Sequence, residues 1–330
     1  MKDANVVEPA RAGIPRHLLN DRGGVDTGRL KAEVSITAVA AQATDLKPVG
    51  GEMRGLCPLH DEDTASFHVN EGKGVYNCFG CGAGGDVVDL FSRLHRVGFV
   101  EACTCLAGTE TQPMRSISPE DQAVRKVLAR HRAAEEWRKA GAIEGTYAET
   151  YLLTRGVGSG VPGSLRYGTV PRFWDEDGRE GVRHPAIIAA LQDENGKVVG
   201  IHRTFVDRDG RKFRRGEPRL ALGRVRGCAV RLGPVSPRIM LCSGIEDGLA
   251  LRIMFPGASV WVTPGDANMP HVRLPRGIWH VTVCGDADAS GVAAVAATRE
   301  ALGRKGFQTD ELFPRAGAKD FNEEWLLLHT

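Results

Sequence analysis

Cys57, His60, Cys78 and Cys81 carry the clearest chemistry in this sequence. They form two pairs, Cys57-Pro-Leu-His60 and Cys78-Phe-Gly-Cys81, with 17 residues between them. Three thiolates and one imidazole suit the tetrahedral preference of Zn²⁺, and four protein ligands close its shell, so such a site is structural. Each pair needs a tight knuckle, and the insert must fold back to bring the knuckles together. The segment SFHVNEGKGVYNC has the pattern for this, with strand-like alternation on either side of a glycine-rich turn. His68 and His95 fall outside both pairs and are read as non-ligands. Cys103 and Cys105 are read as core thiols.

A second constellation is acidic. The apolar run 280–284 leads into Gly285-Asp286-Ala287-Asp288-Ala289-Ser290-Gly291. Carboxylates just past a buried parallel strand lie where open α/β sheets place their ligands. Mg²⁺ takes one or two carboxylates together with substrate phosphates, and a metal so held can neutralise a phosphoryl group and activate a hydroxyl. An Asp-x-Asp pair alone also describes many loops, so its setting matters. Two more acidic segments share this part of the chain: Ser243-Gly-Ile-Glu246-Asp247, after the apolar run 239–242, and Lys319-Asp320-Phe-Asn.

The elements that must position these groups can be read from periodicity. Val87, Val88, Phe91 and Leu94 recur at helical spacing behind a cap at Asp86. Residues 1–30 mix proline, glycine and charge and are expected to form a flexible tail. Residues 31–112 form the zinc-binding unit, and 113–145 read as a charged helical linker. Within 146–237, HPAIIAALQ and KVVGIHRTFV flank the turn DENG, which predicts an antiparallel hairpin or meander. From 238 to 330, strands alternate with the helical segments 247–254 and 291–303, the pattern of a parallel α/β sheet.

The chain of 330 residues, 42% hydrophobic and 25% charged, has room for two or three domains with real cores. No apolar run approaches the roughly 20 residues of a membrane span, and the N-terminus lacks a signal-peptide core. A cytoplasmic location is therefore expected, and eight cysteines there are ligands or buried thiols, not a disulfide framework.

The stretch CPLHDEDTASFHVNEGKGVYNCFGCGAGGDVVDLF resembles the CHC2 zinc-binding domain of bacterial and phage DNA primases. Residues 238 to about 328, with SGIEDGLA, then DADASG, then KDFN, resemble the Toprim domain, in the version of phage and plasmid primases. The resemblance implies a DnaG-type primase of α/β class (α+β overall), a zinc ribbon followed by a primase core ending in a Toprim domain with a mostly parallel sheet. Segment 146–237 resembles the basic N-terminal part of that polymerase core. By the same resemblance the ribbon contacts single-stranded template, making Phe67, His68, Lys73, Tyr76 and Phe79 candidate contacts. For Phe67 and Phe79, simple packing of the ribbon is the competing role. Asp286 and Asp288, with Glu246 and Asp320, would hold Mg²⁺ or Mn²⁺. One departure stands out: the family's catalytic glutamate precedes the glycine of the first turn, and here that position is Ser243. Two readings stay open. Either Glu246 or Asp247 replaces the carboxylate, or the metal site is weakened.

The net charge is only +2, but residues 199–226 hold nine Lys or Arg against three Asp or Glu. Between a zinc ribbon and an acidic site, such a block reads as a phosphate-tracking surface. Arg203, Lys212, Arg214 and Arg215 are its candidate contacts. The expected function is template-directed synthesis of short RNA primers on single-stranded DNA from nucleoside triphosphates. A single-stranded-DNA-binding protein of weakened activity and a Toprim nuclease are the alternatives. No Gly-x4-Gly-Lys-Ser/Thr phosphate loop occurs, so a separate replicative helicase is the expected partner.

Overall fold

The computed structural model describes residues 14–20, 24–59, 65–80, 83–95, 97–108, 119–172, 174, 179–213, 218–315 and 317–329. The first unit runs α1 (Thr27–Glu33), α2 (Ile36–Ala41), β1 (Lys47–Val49), β2 (Glu52–Gly55), β3 (Phe67–Asn70), β4 (Val75–Cys78), β5 (Gly84–Asp86), α3 (Val87–His95) and α4 (Phe99–Ala107). Its five strands pair antiparallel in sequence order. In β3 the alternation is complete: Phe67 and Val69 face the core, while His68 and Asn70 face outward. Asp86 caps α3, its Oδ1 accepting from Val88 N–H at 2.8 Å.

The expected tail of 1–30 is corrected from residue 14 onward. Residues 1–13 lie outside the described residues, but a helical turn at Arg16–Leu18 and α1 bury Leu18 and Leu30 in the ribbon core. The Asp26 side chain caps α1 by accepting from Gly28 and Arg29. Two leucines among many charges are too few to show a period, which is why the sequence reads as a tail.

The second unit comprises α5 (Pro119–Lys139), α6 (Tyr147–Thr154), β6 (Leu165–Pro171), β7 (Arg183–Gln192), β8 (Val198–Phe205) and β9 (Arg219–Gly223). The strands form an antiparallel meander in chain order, with β7 and β8 joined through the predicted DENG turn. The expected linker is corrected here: α5 is a packed element of this unit. Ala133 on α5, and Ala140 just beyond it, are buried with Val170, Ile188, Ile201 and Phe205. Small residues let the helix approach the sheet closely, so its burial hides behind a charged composition.

The third unit holds β10 (Val230–Arg231), β11 (Arg238–Ser243), α7 (Ile245–Met254), β12 (Ser259–Thr263), β13 (His280–Cys284), α8 (Ala289–Gly303), β14 (Gln308–Leu312) and α9 (Phe321–Leu327). Sheet order is β10-β12-β11-β13-β14, parallel except for the short edge strand β10. The second and third units share one core: Tyr151, Leu152, Ile187 and Leu191 cluster with Leu249, Val262 and Phe321. No helix among the described residues is long and apolar enough to cross a membrane.

Candidate metal and nucleic-acid sites

In the ribbon, Cys57 follows β2 and Cys78 ends β4. Both strands pair with β3, through Gly55 opposite Phe67 and Phe67 opposite Cys78, so the two cysteines stand at the same end of the sheet. Both are buried. Leu59 N–H points at Cys57 Sγ (3.4 Å), and Ser66 Oγ lies 3.2 Å from Cys78 Sγ. Two buried sulfurs brought to one end of the sheet are the donor type that Zn²⁺ takes, so the residues present fit a zinc site. The other two expected ligands, His60 and Cys81, lie outside the described residues. His68 and His95 are engaged elsewhere: His68 Nδ1 is 3.1 Å from Glu52 Oε2, and the His95 ring packs on Phe91. Cys103 is a buried thiol as expected, but Cys105 is exposed on α4.

Of the expected template contacts, Tyr76 is corrected, and Phe67 takes the competing role of ribbon packing. Tyr76 and Phe67 are buried and pack on each other, ring centroids 5.4 Å apart, so both build the ribbon core. Phe79 is 51% exposed, its ring edge-on to His68. Lys73 is exposed in the turn between β3 and β4.

The acidic residues gather at the carboxyl ends of the parallel strands. Ser243 is level with Thr263 on β12, and Leu241 with Val283 on β13, so the turns after β11, β12 and β13 lie side by side. Asp286 is two residues past β13. Asp288 caps α8, its Oδ1 accepting from Gly291 N–H at 2.8 Å. Gly291 is required by crowding: a Cβ there would stand 2.3 Å from the Asp286 carbonyl oxygen. Asp320 caps α9 in the same way, through Glu323 N–H at 2.8 Å. Ala287 N–H donates to Lys319 O (2.8 Å), tying the two acidic turns together. Asp247 Oδ1 accepts Asn322 N–H at 3.0 Å, fastening α7 to α9.

This crowding shows in the acid strengths. Burial, then the neighbouring carboxylates of Asp266, Asp320 and Asp288, push Asp286 up to about 6, with Lys319 opposing. Burial and then Asp320 push Asp247 up to about 8. Several carboxylates with too little compensating positive charge are relieved by a cation. The donors are all oxygen, which suits a hard divalent metal, while among the described residues no three such side chains already stand together as a metal-holding group.

Glu246 is not part of this gathering. It is buried in the first turn of α7, where the Tyr151 hydroxyl donates to Oε1 and Lys212 Nζ and Arg219 Nη2 stand 3.1 and 3.5 Å from the same oxygen. Burial alone would raise this carboxyl. Arg219, Lys212 and Tyr151 outweigh burial and hold it well below the usual carboxylate range. Lys212 is thereby engaged in an internal ion pair. Arg203 is corrected as a phosphate contact: it is 3% exposed and donates to the carbonyls of Pro171 (2.6 Å), Leu220 (3.3 Å) and Ala221 (3.0 Å). Arg214 and Arg215 lie outside the described residues.

One residue escaped the sequence reading. Ser243 donates its hydroxyl proton to Asp266 Oδ1, which opens a short 3-10 helix (Asp266–His271) after β12. The available signal was the run VWVTPGD, a buried strand followed by Pro-Gly-Asp, the same strand-then-acid order as HVTVCGD.

The ribbon meets the acidic unit through the same 3-10 helix. Asn268 Nδ2 donates to Gly80 O, inside the second cysteine pair, and to Pro264 O, each at 2.7 Å. Beside this contact is a cleft of about 190 Å³, with Arg54, His68 and Phe79 from the ribbon facing Arg226 and His271.

Comparison with known proteins matches three segments. Residues 25–120 match the CHC2 zinc finger, 238–327 the Toprim domain, and 128–232 a domain of unknown function (DUF7146). The chain is 33% identical over 161 residues to a DNA primase of Mycolicibacterium smegmatis, covering 46% of this chain and 25% of that protein. It is 45% identical over 78 residues to a DNA primase of Lactococcus lactis, covering 24% and 12%. The chain thus spans about a quarter, or less, of the length of these curated relatives. The crystal structure of the Aquifex aeolicus primase zinc-binding and RNA polymerase domains aligns with a TM-score of 0.40 at 19% identity, over 92% of this chain and 84% of that one.

Proposed function

We propose that this chain, which carries a CHC2 zinc finger and a Toprim domain and is homologous to DNA primases, makes short RNA primers on single-stranded DNA from nucleoside triphosphates. The observation that carries this reading is the contact between its two sites: Asn268 fastens the cysteine knuckle at Gly80 to the turn beside the acidic edge. A template strand held at the ribbon is thereby delivered next to the carboxylates. In the cleft, Phe79 offers a stacking face, and Arg54 and Arg226 offer positive charge for phosphates. Zn²⁺ on Cys57, His60, Cys78 and Cys81 would lock the ribbon.

Asp286, Asp288 and Asp320 would hold Mg²⁺ or Mn²⁺. The chemistry such ions would supply there is neutralisation of the incoming triphosphate and activation of the attacking 3′-hydroxyl. The chain's own part is to fix those carboxylates. Asp288 and Asp320 each use one oxygen to cap a helix, and Gly291 keeps space for the Asp286 turn. Glu246 holds Lys212, Arg219 and Tyr151 beneath α7, which supports the first acidic turn from behind.

Primer synthesis on single-stranded template, with ribonucleotides and Mg²⁺ or Mn²⁺, tests the proposal. The double variant Asp286→Asn/Asp288→Asn should abolish synthesis while keeping the circular dichroism of the wild type, because asparagine preserves helix capping. Full synthesis by that variant would end the metal-site assignment. Cleavage of labelled DNA without extension would identify a nuclease instead. The serine at position 243 favours one further outcome, template binding with slow or no synthesis.

A further inference from the structure

We infer that Asp266 supplies the carboxylate that Ser243 lacks, and that the two side chains act as one hydrogen-bonded unit at the end of β11 facing Asp286. The inference rests on the proposed metal-dependent reading of the acidic edge and assigns to that site a residue outside its motifs.

The geometry is direct. β11 lies between β12 and β13 in the sheet, so its tip is flanked by the turn bearing Asp266 and the turn bearing Asp286. Ser243 donates to Asp266 Oδ1. A serine side chain plus one hydrogen bond reaches about as far from the strand as a glutamate side chain does. The Asp266 carboxylate is therefore held at the tip of β11, within the reach that a glutamate at 243 would have.

The turn that carries Asp266 is held from several sides. Gly265 N–H donates to Thr263 O at 2.9 Å, and Thr263 Oγ1 donates to Gly265 O at 3.2 Å. Gly265 has φ 86, a conformation that favours glycine, and Asn268 clamps Pro264 O. Asp266 is thus fixed before any ligand arrives, as a metal ligand should be.

Glu246 is committed elsewhere, in the Tyr151, Lys212 and Arg219 pocket. Asp247 accepts from the backbone of α9 with one oxygen, as Asp288 and Asp320 do from their own helices, and belongs to the acidic edge beside Asp266.

The test uses the full chain with its zinc loaded and measures Mn²⁺ binding by the electron paramagnetic resonance of free Mn²⁺, alongside primer synthesis. Asp266→Asn keeps an acceptor for Ser243 but removes the charge. It should weaken Mn²⁺ binding about 10- to 100-fold, the usual scale for losing a metal-site group. The double variant Ser243→Glu/Asp266→Asn returns the charge to the neighbouring strand and should recover most of the affinity, which a merely misfolded site would not. Unchanged Mn²⁺ affinity in Asp266→Asn, when Asp286→Asn abolishes it, would overturn the inference and leave the acidic site standing. Weakened binding in Asp266→Asn together with a wild type that makes no primers would uphold it and reject primer synthesis. A wild type that binds no Mn²⁺ would overturn both.

Discussion

Glu246 is a buried charge with three partners, and its energetics follow from that count. Replacing it with glutamine removes the carboxylate that Lys212 and Arg219 share. Loss of one partner from a buried ion pair costs about 3–5 kcal/mol. Lys212 and Arg219 are 28% and 40% exposed, so water offsets part of the loss, and Glu246→Gln should cost about 2–3 kcal/mol in chemical denaturation. The pH dependence has a definite sign. The folded-state pKa of Glu246 lies below its unfolded value, so its stabilisation is present above about pH 4.5 and is lost as the pH falls further. The gap between wild type and Glu246→Gln should therefore be full near neutral pH and shrink on acidification below about pH 4. A gap that widens with acid would contradict this ion-pair account. From sequence, Glu246 looked like a site residue because it sits in the right motif. Helical geometry decides otherwise: at this position on α7 the side chain turns under the helix toward Tyr151, and no spacing rule shows where a basic pocket from another unit will meet it.

At the scale of elements, the 3-10 helix after β12 touches both the ribbon and the acidic edge. Asn268 donates to two carbonyls, Gly80 O and Pro264 O. Aspartate is nearly the same shape but cannot donate, and it would set a negative charge against both oxygens. Asn268→Asp should release the ribbon: limited proteolysis of the full chain should speed up and primer synthesis should fall, while bound zinc stays stoichiometric by metal analysis. Retained docking with full synthesis would show that the amide contact is dispensable. Some elements were plain in the sequence. β7 and β8 showed as apolar runs joined by a turn, and α3 showed its period behind Asp86. The packing of α5 was hidden, because alanines that let a helix lie close carry little hydropathy. Tyr76 and Phe67 were legible as aromatic, but their direction depends on register: each alternates inward on a strand whose partner positions only the folded sheet fixes.

At the scale of the whole molecule, the second and third units are one folding body with the ribbon attached. Leu152, Ile187 and Leu191 are buried against Leu249, Val262 and Phe321, so a boundary drawn at 237/238 cuts through a core. A fragment of residues 119–330 should therefore unfold in one cooperative thermal transition. Residues 238–330 alone, with half that core exposed, should show no sharp transition by calorimetry. Equal cooperativity in both fragments would refute the shared core. Periodicity gave the change from antiparallel to parallel architecture, but it could not give this continuity, because contacts between distant segments leave no local period. The contact between Ser243 and Asp266 has a wider consequence. The tips of β11, β12 and β13 stand side by side, so a charge lost from one loop can be replaced from the next with the backbone unchanged. Neighbours on such a rim need not be neighbours in the chain: Asp266 stands 23 residues beyond Ser243. A position without its acid is therefore read together with the turn beside it in the sheet, not with the residues beside it in the sequence.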